Sequence, residues 1–166
     1  MPAPKKETTP CFGRPRRVNF KKEREAPGPP LTRPFLQMII VNRHHAAVIN
    51  TPHGSEIRPL IDRTTSHIER CSLAEEVLPV GCAVGRHHHL STEEIYYVLR
   101  GRGRMTVGSE AREVEAGDAV FIPRGHAHTL ENTGQEPMTI LLVCGPAYSY
   151  EDHHAGDSAP PEGRRP

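Results

Sequence analysis

The chain has 166 residues, 36% hydrophobic and 25% charged, with a formal net charge of +1, which suits one domain with a modest core. No stretch approaches the roughly 20 apolar residues that cross a bilayer as a helix, and no apolar run of the export-signal kind follows the first residues; the cytoplasm is the expected location. The charge is uneven: +6 over the first 34 residues, −2 over the last 16, and −3 between them.

Residues 1–34 hold eight prolines, nine Lys/Arg and three Glu, a composition that cannot bury enough apolar surface to fold, so a disordered basic, Pro-rich arm is expected. Its clusters Arg14-Pro15-Arg16-Arg17 and Lys21-Lys22 have only Phe12 and Phe20 as aromatic company, and a solvated tail is expected in place of specific nucleic-acid binding. A single domain is predicted over 35–150, with strands at 36–41, 46–49 and 72–78, where β-branched and apolar residues run between turn residues. Further strands are predicted at 94–100, 104–107, 119–122 and 138–143, and a return strand begins at His128. The turns between them fall at Gly101-Arg102-Gly103 and Pro123-Arg124-Gly125. No stretch sustains a helical period over three turns, so the domain reads as all-β. Residues 151–166, rich in Asp, Glu, Pro and Gly, read as a second disordered tail. Cys11, Cys71, Cys82 and Cys144 show no CxxC pairing and are expected as free thiols in a reducing compartment.

Two segments carry the chemistry. In the first, His87 and His89 stand two apart and share one face of a strand, and Glu94 opens the next strand after a bend at 90–92. In the second, His128 follows the Pro123–Gly125 turn. Imidazole and carboxylate together suit one divalent metal ion per chain, Fe, Mn, Ni, Zn or Cu, without choosing among them. A tag remnant or a solvated histidine loop would account for the run 87–89 alone, and would leave Glu94, His128 and the spaced glycines and proline to coincidence. By alternation Tyr96 and Val98 share the face of Glu94; Tyr96 is a candidate for orienting a substrate or holding a proton, against the alternative of a core aromatic. His126 is a candidate acid/base or supporting group beside His128. His88 should point away from its neighbours.

The same residues resemble the two cupin motifs. Gly81, His87, His89, Glu94 and Gly101 fill G-x5-H-x-H-x4-E-x6-G, and Gly117, Pro123, Gly125, His128 and Asn132 fill G-x5-P-x-G-x2-H-x3-N, with fifteen residues between the motifs. The resemblance implies a cupin jelly-roll β-barrel with His87, His89, Glu94 and His128 as the metal ligands. The ligand set with glutamate is similar to that of oxalate-processing, flavonol-cleaving and sugar-phosphate-isomerising members. Residues 51–58 and 146–152 resemble small cupins loosely labelled mannose-6-phosphate isomerase-like, a label that says little about substrate.

Two functions are in view: a metal-dependent enzyme of dioxygenase, isomerase or decarboxylase type acting on a small oxygenated molecule, or a non-catalytic module that binds or senses a small ligand. A phosphorylated substrate would call on Arg86, Arg100 and Arg124. Exposed strand edges favour a homodimer.

Overall fold

In the computed structural model, residues 38–157 are described; the expected N-terminal arm and the residues beyond 157 lie outside them. Eleven strands are formed among the described residues: β1 (Ile49–Asn50), β2 (Glu56–Ile61), β3 (Ser72–Leu78), β4 (His87–His88), β5 (Glu93–Arg100), β6 (Arg102–Val107), β7 (Glu110–Glu115), β8 (Ala119–Ile122), β9 (His128–Glu131), β10 (Met138–Gly145) and β11 (His154–Ala155). They pair antiparallel in two sheets, one ordered β1-β2-β3-β10-β5-β8 and the other β11-β4-β9-β6-β7. This is the expected all-β jelly-roll barrel. Helical structure among the described residues amounts to one turn at Arg63–Ser66 and a 3-10 turn at Tyr150–Asp152; no described helix is long and apolar enough to cross a membrane.

Alternation explains how the barrel fills. Along β5 the side chains of Glu94, Tyr96 and Val98 are buried while Ile95, Tyr97 and Leu99 face out, the period of two that a strand imposes. Leu78, Val98, Ile122, Leu130, Met138 and Ile140 meet in one cluster between the sheets, each contributing roughly 1.5–3 kcal/mol by leaving water. Asn132, 1% exposed, closes one end: its amide donates to the carbonyls of Leu78 and Glu136, and its oxygen accepts from the Gly134 N–H.

Several elements depart from the sequence reading. Residues 38–41 form no strand, with Met38 and Ile40 about four-fifths exposed, and of the strand expected at 46–49 only Ile49 is in one, as the first residue of β1. The turn after β5 is Gly101 alone, since Arg102 and Gly103 already belong to β6. Within 151–157, taken above as tail, the chain forms the 3-10 turn and β11, and β11 pairs with β4 through His154–His88 and Ala155–His87. The domain therefore extends past residue 150.

Candidate metal centre

The four residues singled out by spacing come together. His87 on β4 and His128 on β9 are direct cross-strand partners, His89 follows β4 immediately, and Glu94 enters from β5 in the opposite sheet, so the cluster bridges the two sheets near the start of β5. The two motifs are also fastened to each other: Gly125, at φ +75°, donates its N–H to the His89 carbonyl, a backbone conformation that glycine adopts without a Cβ penalty. All four side chains are buried, and one ligand atom from each lies within 4.8 Å of the others.

Backbone carbonyls set the histidine tautomers. Nδ1 of His87 lies 2.8 Å from the Gly85 carbonyl, Nδ1 of His89 2.9 Å from the Asp152 carbonyl, and Nδ1 of His128 3.0 Å from the His126 carbonyl. A carbonyl only accepts, so each Nδ1 carries the hydrogen, and in the neutral ring the lone pair falls to Nε2. The Nε2 atoms of His128 and His89 stand 3.1 and 3.6 Å from Glu94 Oε2, spacings at which a shared proton or a shared cation draws the groups together. His89 Nε2 is buried without a hydrogen-bond partner. That orphaned donor atom, facing a carboxylate beside two further imidazoles, is the observation by which these residues fit a metal ion.

Electrostatics agree with this. Burial pushes His87 down to about 3, with the field of His128 adding to it, so its ring is neutral and ready to ligate. Burial alone would raise Glu94, but the hydrogen bond from His128 and the pull of His89 override it and hold the carboxyl at about 2. Burial works to lower His89, yet the Glu94 carboxylate, 3.6 Å away and acting through its field because no hydrogen bond spans that distance, raises it overall. The Cys144 thiol, pushed up by burial and by Glu94, stays protonated and donates to Glu94 Oε1 at 3.4 Å, leaving Oε2 toward the histidines.

The other sequence candidates divide. Tyr96 is 2% exposed with its ring edge-on to His128 at 5.8 Å, and burial raises its phenol well above the ordinary value. The His126 ring is exposed, near the Arg124 carbonyl, so it is the His126 backbone carbonyl that serves the cluster. His88 stacks on His154 at 5.2 Å and stays outside the cluster. One histidine escaped the sequence reading: His153 lies flat on His87, centroids 4.3 Å apart at 14°. Of the arginines, Arg86 is engaged with Asp157 and the Gly108 carbonyl, and Arg100, at the far end of β5, with Glu136.

Comparisons with known proteins converge. Residues 74–144 match the family profile described as Cupin domain. The chain is 44% identical over 102 residues to an uncharacterised protein of Methanocaldococcus jannaschii, covering 61% of this chain and 82% of that one. It is 34% identical over 88 residues to the oxalate-binding protein of Thermotoga maritima, covering 53% and 73%. Among solved structures, one described as a predicted oxalate decarboxylase from Thermotoga maritima superposes with a TM-score of 0.60 at 27% identity, over 65% of this chain and 99% of that one.

Proposed function

The chain belongs to the cupin family, and from that premise we propose that it holds one divalent metal ion per chain on His87, His89, Glu94 and His128 and acts on a small oxygenated molecule of the oxalate class. The observation that carries the reading is the common anchoring of three Nδ1 atoms on carbonyls, which turns the Nε2 lone pairs toward one carboxylate. A bound divalent ion supplies Lewis acidity, or oxygen activation if it is redox-active, as in a dioxygenase, decarboxylase or isomerase. The chain's part is to orient and to control protons: Glu94 stays ionised, the rings of His87 and His128 stay positioned, and Tyr96 keeps its phenolic proton as a donor next to His128. A phosphorylated sugar fits less well, because of Arg86, Arg100 and Arg124 the first two are paired with carboxylates, which leaves Arg124 alone for a phosphate.

The name of the oxalate-binding relative favours a second reading, ligand binding without turnover. One experiment separates the two. Protein loaded with Fe, Mn, Ni or Zn is titrated with oxalate by calorimetry while product and oxygen uptake are followed; the expected result is saturable binding that requires metal, with turnover for at least one ion. Metal-dependent binding without product selects the binding module, and no binding with any ion sinks the oxalate class.

A homodimer and a cytoplasmic location belong to the same proposal. Ile95, Tyr97, Leu99 and Phe121 stand 39–57% exposed on the outer face of β5 and β8, with Ile95 opposite Phe121, an apolar patch of the kind partners cover. Phe121→Asp is expected to convert a dimer of the 18.4-kDa chain to monomer in sedimentation analysis; a wild type that sediments as a monomer refutes the pairing. Cys71, Cys82 and Cys144 form no disulfide among the described residues, and thiols of that kind belong to a reducing compartment.

A further inference from the structure

Residues 146–157 run against the cluster as a strap, with Tyr148 and His153 packed on the His89 and His87 rings, and the strap touches the support of three of the four candidate ligands. The Asp152 carbonyl holds Nδ1 of His89 at 2.9 Å. The Asp152 carboxylate accepts three successive N–H groups, from Leu90 at 2.9 Å, Ser91 at 3.1 and 3.2 Å, and Thr92 at 3.0 Å. Those three residues are the whole stretch between His89 and β5, the turn that fixes His89 relative to Glu94. Next to Asp152, His153 covers the face of His87, and β11 then pairs with β4.

We propose that this strap is a latch on the metal centre and that Asp152 is its positioning residue. The inference rests on the metal reading above. Side chain and carbonyl of one residue grip both sides of His89: the carbonyl sets the tautomer and ring plane, while the carboxylate locks the turn that delivers Glu94. Asp152 is not among the four candidate ligands. Because the contacts exist only when the strap is down, strap closure and metal binding favour each other, and the coupling is reciprocal. Opening the latch loosens His89 and uncovers His87 together, which gives a ligand its way in and weakens the metal's hold at the same time.

The test uses full-length protein and Co(II) as probe metal. Visible absorption of bound Co(II) reports affinity and ligand geometry, and amide hydrogen exchange across 150–157, with and without Co(II), reports the strap. Asp152→Ala is expected to weaken Co(II) by roughly tenfold to a hundredfold, the range for residues that orient ligands, and to change the absorption bands. Asp152→Asn, whose amide oxygen still accepts N–H groups, recovers most of the affinity, and Co(II) slows exchange along the wild-type strap. Equal affinity and an identical spectrum in Asp152→Ala overturn the latch while the metal reading stands. If Asp152→Ala does not fold, exchange in the wild type decides, and strap amides indifferent to bound Co(II) overturn it. No Co(II) uptake by the wild type removes the metal reading and the latch with it.

Discussion

Replacing His128 with alanine is expected to take the metal content from near one ion per chain to near zero, read by mass spectrometry on tag-free protein purified without added metal. His128 is 0% exposed, its Nδ1 hydrogen is spent on the His126 carbonyl, and its Nε2 is the ring nitrogen nearest Glu94 Oε2. Alanine removes a donor atom and also one of the two rings whose contacts hold the Glu94 carboxyl at about 2. The loss therefore exceeds the roughly tenfold to hundredfold that a merely supporting residue costs. His88→Ala is the matched control: its side chain is also buried and belongs to the same histidine run, but its ring stacks on His154 away from the cluster, so metal should persist. A redox-active ion in the wild type would direct the search to oxygen-dependent chemistry, and zinc to isomerase or lyase work. Near-zero metal in the wild type, or equal metal in wild type and His128→Ala, would sink the enzyme reading.

The contrast between His128 and His153 shows what a sequence can and cannot reveal here. β3 and β8 were legible to the residue, at Ser72–Leu78 and Ala119–Ile122, because their apolar runs end at turn residues. The four candidate ligands were legible because strand alternation and fixed turns convert spacing into facing. β2 was missed: Glu56, Arg58 and Pro59 break any apolar run, and all six of its residues are only half-buried. β7 was missed for a related reason, since a charged edge strand with Val114 as its one buried side chain carries almost no apolar period. The strand expected at 36–41 had the right composition, but composition does not supply a partner strand, and the described residues 38–41 join no sheet. The strap was illegible because everything that orders it is distant in sequence: the Asp152 bonds reach back about 60 residues, and the His153 stack reaches His87. The aromatic and histidine spacing of Tyr148, Tyr150, His153 and His154 was the available signal that this end was no ordinary polar tail.

A buried carboxyl elsewhere in the barrel yields the largest expected effect on stability. Glu76, 1% exposed on β3, accepts a hydrogen bond from Ser55, with His53 Nε2 3.9 Å away. Burial raises its pKa from the ordinary 4.5 to about 7, the Ser55 bond opposing and the Glu94 charge adding. A raised folded-state pKa means that between these two values the folded protein keeps a proton the unfolded chain gives up. The stabilisation is complete below about pH 4.5, falls by about 1.4 kcal/mol per pH unit through the window, and is lost above about pH 7, roughly 3 kcal/mol in all. Glu76→Gln keeps the shape and an oxygen for the Ser55 hydroxyl while removing the titration. In urea unfolding at pH 5, 6, 7 and 8, the variant is thus expected to match the wild type near pH 5 and to exceed it by up to about 3 kcal/mol at pH 8. Parallel stability curves would show that Glu76 ionises as readily inside the barrel as outside it. A divergence would show that this barrel retains, at a cost near neutral pH, a carboxyl that an amide could replace without strain. Residues kept against stability in this way are the ones to test next for a part in the chemistry of the same lumen.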